Sequence, residues 1–277
     1  MTDHIAATIT LNNGIEIPQI GLGVFQASDG AEVERAVGWA LDAGYRHIDT
    51  ATIYSNEAGV GRAVAAHATP RDEIFVTTKV WNTDQGHQRT LDAFEASLRR
   101  LDTDYVDLYL VHWPRPILIE ETWRAMEEIY ADGRTRAIGV SNFMIHHLDQ
   151  LLEIAEVPPA INQVEFHPHL QQPDLVRYCE EAGIAFEAWS PLKRGQMLDD
   201  PTLMSIASRH GVTTTQVILR WDLQRGIVTI PKSVTKERIE SNADLFGFAL
   251  DDDEMQSVDG LDRADRTGPH PDDFPGS

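Results

Sequence analysis

Along this chain, short strand-like runs built around apolar residues alternate with longer segments whose apolar positions recur every three or four residues. The runs fall at residues 20–23, 46–49, 74–80, 106–111, 137–140, 161–165, 184–189 and 227–230. Short runs of that kind, with no strict apolar–polar alternation, read as strands buried on both faces, as in a parallel sheet. Between them, Val33, Ala36, Val37, Ala40 and Leu41 form a helical stripe, as do Leu91, Phe94, Leu98 and Leu101. Further stripes are Leu148, Leu151, Leu152 and Ala155, then Val217, Ile218 and Trp221. Ahead of the first run, residues 7–11 and 15–17 flank Asn12-Asn13-Gly14, where Asn and Gly tolerate positive φ, and this predicts a β-hairpin. Eight strand–helix units after a hairpin fit a (β/α)8 TIM barrel better than an open sheet, with the hairpin closing the bottom. No Gly/Ser-rich linker, low-complexity stretch or break in composition interrupts the series, so residues 1–277 are expected to form one barrel domain.

Composition narrows the function. The 277 residues include 23 Lys+Arg against 44 Asp+Glu, a net charge of −21 with His neutral, and 42% are hydrophobic. That is too apolar for a disordered chain. A pI of 4.7 argues against nucleic acid or an anionic membrane as partner, since both demand a dense basic surface. Cys179 is the only cysteine, which excludes an intramolecular disulfide and a cysteine-based zinc site. Met1-Thr2-Asp3-His4 lacks the basic and apolar segments of a signal peptide, and no run approaches the ~20 apolar residues of a membrane helix. A cytoplasmic protein is expected. The tail, residues 263–277, is polar and rich in Pro and Asp, and reads equally well as a solvated end or as a flap.

Barrel enzymes carry their chemistry at the carboxyl ends of the strands. The second run ends in Asp49, with Tyr54 five residues on; the third ends near Lys79, followed by Trp81; the fourth runs into His112 and Trp113. A carboxylate, a phenol, an ammonium and an imidazole thus converge on one rim. Each alone has a bland reading, such as a helix cap, a loop aromatic, a solvated strand end or a core histidine. Together they suit protonation of an oxygen that gains negative charge, as when a carbonyl accepts hydride. A free phenol has a pKa near ~10. An adjacent ammonium is expected to lower it, with the carboxylate holding the ammonium and the imidazole fixing the carbonyl oxygen.

Gly44-Tyr45-Arg46-His47-Ile48-Asp49-Thr50-Ala51, followed by Glu57-Ala58-Gly59-Val60-Gly61, resembles the first signature of the aldo-keto reductases. Ile230-Pro231-Lys232-Ser233-Val234-Thr235 with Arg238, Ser241 and Asn242 resembles their C-terminal cofactor signature. Asp107 to Trp113, Gly139-Val140-Ser141-Asn142 and Asn162-Gln163 through Pro168 are similar to the family's strand ends. The resemblance spans residues 9–262 and is greatest to the bacterial subgroup that includes 2,5-diketo-D-gluconic acid reductases. It implies the barrel fold and a catalytic tetrad of Asp49, Tyr54, Lys79 and His112, with Tyr54 as proton donor. It implies NADPH as cofactor, with Ser141, Asn142 and Gln163 on the nicotinamide carboxamide and Trp189 stacked on the ring. Ser190, Leu192, Lys193, Arg194 and Gly195 would lie along the pyrophosphate; Lys232, Ser233, Val234, Thr235, Arg238 and Asn242 would hold the adenosine 2′-phosphate end. Where Ser241 stands, many relatives have a carboxylate that contacts adenine.

The phosphate end also follows from charge. A helix after the eighth strand would open near the rim, and helix N-termini attract phosphate. Lys232, Ser233, Thr235 and Arg238 place cations and hydroxyls there against an acidic background, and Arg meets a phosphate with a planar pair of donors. No Gly-x-Gly-x-x-Gly segment marks a Rossmann site. Phe25, Trp81 and Trp113, with His112, are expected to wall the substrate space. The expected function is NADPH-dependent reduction of aldehydes, α-dicarbonyls or keto-sugars by a monomer. The alternative is a slow-turnover NADPH-binding sensor or regulatory subunit on the same fold, which turnover of a simple aldehyde would distinguish. His167-Pro168-His169 also raises a metal-dependent hydrolase, but no accompanying ligand set is apparent, so these read as loop residues and no metal is expected.

Overall fold

The computed structural model describes residues 4–274. An antiparallel hairpin, β1 (Thr8–Thr10) and β2 (Glu16–Pro18), comes first. Eight parallel strands follow: β3 (Leu22–Gly23), β4 (His47–Asp49), β5 (Phe75–Val80), β6 (Val106–Val111), β7 (Thr135–Ser141), β8 (Ile161–Glu165), β9 (Ala185–Trp189) and β10 (Val228–Thr229). They pair in chain order. Parallel bridges between Ile20 and Thr229, and between Gly23 and Lys232, join the first strand to the last and close the barrel. Each strand lies within or beside an apolar run of the sequence.

The helices α1 (Ala31–Asp42), α2 (Glu57–Ala66), α3 (His87–Leu101), α4 (Ile119–Ala131), α5 (Ile145–Leu152) and α6 (Pro173–Glu181) alternate with β3 to β9. Two helices, α7 (Pro201–His210) and α8 (Thr214–Gln224), lie between β9 and β10; α9 (Lys236–Ala243) and α10 (Asp252–Asp259) follow it. The α1 stripe Val33, Ala36, Val37, Ala40 and Leu41 is buried, as the periodicity predicts. Helix α5 stops at Leu152, so Ala155 packs from the turn beyond it rather than from the stripe. None of the described helices is long and apolar enough to cross a membrane.

The hairpin closes the bottom of the barrel. Leu11 and Ile17 pack with Phe75, Leu108, Leu110, Ala137, Ile161 and Val228, and Asn12 Nδ2 donates to the Pro159 carbonyl ahead of β8. Its turn differs from a simple Asn-Gly type: positive φ falls on Gly14 alone (84°), while Asn13 Oδ1 accepts from the Ile15 amide. With the bottom filled, the opposite rim is where side chains at strand ends can meet a small molecule.

Candidate active site

Asp49 ends β4 and Lys79 lies near the end of β5, in adjacent parallel strands. Lys79 Nζ donates to Asp49 Oδ1 and Oδ2, both at 2.7 Å, and to the Thr50 carbonyl at 2.9 Å. Lys79 is completely buried and Asp49 nearly so. Burial works most strongly against the ammonium, but Asp49, by its charge and hydrogen bond, together with Tyr54 and Glu187, outweighs it and the pKa is raised, so the charge is retained. Tyr54 sits on a short 3-10 turn after β4, with Lys79 Nζ 5.2 Å from the centroid of its ring. His112 follows β6, and its ring meets that of Tyr54 edge-on at 5.7 Å.

The Tyr54 phenol is shifted upward, where the sequence predicts a downward shift. Burial raises the phenol above its ordinary value; the Lys79 ammonium pulls it down, but Asp49 partly cancels that pull. Desolvation of a nascent phenolate exceeds the attraction of an ammonium already neutralised by its carboxylate. The phenol therefore keeps its proton throughout the neutral range. His112 is driven well below the usual imidazole value by burial and by the Lys79 charge, so it is neutral, and its buried Nδ1 has no partner among the described residues.

On the next strand ends, Asn142 adopts φ 64°, a left-handed conformation that Asn accepts more readily than most residues. Its Nδ2 donates to the His112 carbonyl and to Ser141 Oγ, both at 3.0 Å, and its Oδ1 accepts from Trp189 Nε1 at 2.9 Å. Ser141 Oγ donates to the Gln163 carbonyl at 2.8 Å. One amide thereby fixes the ends of β6, β7 and β9 and stands Trp189 at the cavity wall. Gln163 Nε2 donates to Asp49 Oδ2 at 2.9 Å and to Glu187 Oε2 at 3.0 Å. Glu187, fully buried on β9, went unnoticed in the sequence, although a carboxyl inside the apolar run Ala185-Phe186-Glu187-Ala188-Trp189 is a signal in itself.

These groups open on a cavity of about 1020 Å³ that runs along the rim. Its lining includes Asp49, Tyr54, His112 and the aromatics Phe25, Trp81 and Trp113, and also Lys232, Ser233, Val234, Thr235, Arg238, Ser241 and Asn242 from the segment after β10. Gln163, Trp189, Ser190, Leu192, Arg194 and Gly195 line it as well. Lys232, Arg194 and Arg238 are exposed and form no ion pair among the described residues. Lys193 does not join them. Its left-handed backbone (φ 47°) buries the side chain, whose ammonium pairs with Asp265 and approaches His169 Nδ1 at 3.3 Å. Sequence spacing places Lys193 beside Arg194, but the positive-φ turn sends the two side chains apart.

The tail resolves as a flap over residues 263–274. Glu165 accepts from the Thr267 and Gly268 amides at 2.6 and 3.0 Å, and Phe274 stacks on Trp113 with centroids 4.2 Å apart. Gly268, Pro269 and Phe274 thereby line the cavity. A Cβ at Gly268 would come within 2.5 Å of the Trp189 ring, so only glycine lets the strap pass. His167 and His169 do not converge on a shared ligand position: their rings are 6.4 Å apart, His167 faces Glu165 and His169 faces Arg263.

Residues 19–263 match the Aldo/keto reductase family. The chain is 52% identical over 274 residues to glyoxal reductase of Bacillus subtilis, covering 99% of each chain. It is 45% identical over 272 residues to methylglyoxal reductase DkgA of Escherichia coli, covering 97% of this chain and 98% of that one. Among solved structures, a mutant of Gox0644 in complex with NADPH superposes with a TM-score of 0.92 at 43% identity, covering 97% and 98% of the two chains.

Proposed function

The chain belongs to the aldo/keto reductase family, and from that premise we propose that it reduces small aldehydes, α-dicarbonyls and keto-sugars with NADPH, Tyr54 supplying the proton. The observation that carries the proposal is the buried Asp49–Lys79 pair behind a protonated Tyr54, in a cavity also lined by the unpaired cations Arg194, Lys232 and Arg238.

The donor set suits an elongated, phosphorylated cofactor. Lys232 and Arg238, with the hydroxyls of Ser233 and Thr235, would hold the 2′-phosphate; Arg194, Gly195, Ser190 and Leu192 would border the pyrophosphate. Trp189 would provide an aromatic face for the nicotinamide, with Ser141, Asn142 and Gln163 toward its carboxamide. Held there, NADPH would be the source of hydride for the carbonyl carbon.

The remaining work falls to the chain's own side chains. Neutral His112 directs a ring nitrogen to the carbonyl oxygen and sets its position. Tyr54 donates its phenolic proton to that oxygen as negative charge develops, so the product leaves as a neutral alcohol. The Lys79 ammonium opposes the charge left on Tyr54, at the moment when it matters and not before. Asp49 keeps the ammonium in place. Phe25, Trp81, Trp113 and the Phe274 flap surround the substrate with apolar surface and few hydrogen-bonding groups, which favours breadth over discrimination.

The test is NADPH oxidation measured across glyoxal, methylglyoxal, simple aldehydes and keto-sugars, with the Tyr54→Phe variant alongside. Removing the acid while keeping the ring should slow reduction by about 10²-fold or more and leave NADPH affinity nearly unchanged. Near-normal turnover in Tyr54→Phe would overturn the assignment of the acid, and no turnover of any carbonyl by the native chain would overturn the function.

A further inference from the structure

Beneath the cavity floor, a second carboxyl stands beside the Asp49–Lys79 pair. Gln163 Nε2 bridges the two acids, donating to Asp49 Oδ2 at 2.9 Å and to Glu187 Oε2 at 3.0 Å. A carboxylate only accepts, so the amide nitrogen must face Asp49, and both its hydrogens are used. The amide oxygen is left for the cavity that Gln163 lines.

Glu187 has no cation of its own. Lys79 is bonded to both Asp49 oxygens and the Thr50 carbonyl, and Glu187 forms no ion pair with a lysine or arginine among the described residues. From β4, His47 Nε2 stands 3.9 Å from Glu187 Oε1. That imidazole bonds to Thr77 of β5 at 3.0 Å, and burial, joined by the Lys79 charge, holds it down to about 3, so it is uncharged. On β10, Val228 pairs with Glu187, and the polar side chain of that strand, Thr229, already donates its hydroxyl to Asp222 of α8 at 2.8 Å. One ammonium cannot neutralise two carboxylates in a dry core. Burial, and then the Asp49 charge, push Glu187 up to about 8, so at neutral pH it is the protonated partner.

We propose that Glu187 is a positioning residue for the reduction: by sharing the Gln163 amide with Asp49, it fixes that amide's orientation and leaves the Lys79 ammonium undivided between Asp49 and Tyr54. The inference rests on the reading of Tyr54 as the acid. Once Glu187 ionises, its charge further raises both Tyr54 and Lys79. Tyr54 then becomes a weaker acid, the ammonium is drawn toward a second carboxylate, and proton donation slows.

The experiment compares native enzyme, Glu187→Gln and Glu187→Ala in methylglyoxal reduction from about pH 6 to about pH 10. NADPH affinity is measured separately by quenching of tryptophan fluorescence. Native kcat should fall on the alkaline side of about pH 8 with KM little changed, and Glu187→Gln should lack that limb. At neutral pH, Glu187→Ala should lose about tenfold in kcat and bind NADPH more weakly, because the Gln163 amide is freed, and Gln should restore most of both. Identical alkaline limbs in native and Gln enzymes would overturn the proposal, a result that stands even if the Ala variant fails to fold. Tyr54→Phe, run in the same series, separates the two readings. If it is inactive while Glu187→Gln matches the native pH profile, the present inference alone fails; if it turns over normally, the reading of the acid fails first.

Discussion

Replacing Arg238 by alanine isolates the contribution of one cation to cofactor choice. Arg238 lies in the first turn of α9, exposed, lines the cavity, and has no ion pair among the described residues. Its removal therefore leaves no buried partner orphaned, and surface changes of that kind usually move stability by about 0.5 kcal/mol or less. The effect should fall almost wholly on binding. A hydrogen bond to a charged group contributes about 1.5–3 kcal/mol, and each 1.4 kcal/mol is tenfold, so NADPH should weaken roughly ten- to 150-fold. NADH, which lacks the 2′-phosphate, should change by less than about threefold. Lys232 lines the same cavity and the chain carries a net charge of −21, so the double variant Lys232→Ala/Arg238→Ala should lose more than either single change. The assay is fluorescence titration of both cofactors, with kcat/KM for each at a fixed aldehyde concentration. Raised salt should shrink the difference, because exposed charges are screened over about 8–10 Å. Equal weakening of NADPH and NADH, or none, would refute the assignment of Arg238 to the 2′-phosphate.

Lys79→Met leaves the Asp49 carboxylate buried without its counterion and should cost about 3–5 kcal/mol in chemical denaturation, besides slowing reduction as severely as loss of Tyr54. Adding Asp49→Asn should recover part of that stability and none of the turnover, and a double variant no more stable than the single one would contradict the account. Trp81→Ala opens the wall that Trp81 shares with His112 and Phe274, so it should raise KM for aromatic aldehydes more than for methylglyoxal; a uniform change would remove Trp81 from the substrate space. Burial pushes Glu165 up, but bonds from His167, Thr267 and Gly268 outweigh it and hold it at about 2, below the ordinary 4.5. Because its folded pKa is depressed, its stabilisation of the flap is complete above about pH 4.5 and lost as the pH falls toward about 2. Amide exchange at Thr267 and Gly268 should accelerate over that window, and unchanged protection would show that Glu165 does not hold the flap.

Much of this protein is written locally. Eight apolar runs separated by three- and four-residue periodicity determine strands and helices, because burial on both faces and burial of one stripe leave different spacings in the sequence. Strand order in the barrel then brings Asp49, Lys79 and His112, which stand at or just after the ends of successive runs, to one rim, with Ser141 and Gln163 on the strands beyond them. Direction and charge state are not written locally. Lys193 and Arg194 are neighbours in the chain, yet one is buried against Asp265 and the other faces the cavity, a choice made by backbone torsions. The sign of the Tyr54 shift depends on how far the ring is desolvated and on how completely Asp49 has already spent the field of Lys79. The Gln163 amide reaches Asp49 across 114 residues and the Thr267 amide reaches Glu165 across 102, distances over which no local pattern operates. Local sequence decides what each segment becomes; only the closed barrel decides which charges share a water-free space, and that sharing sets protonation.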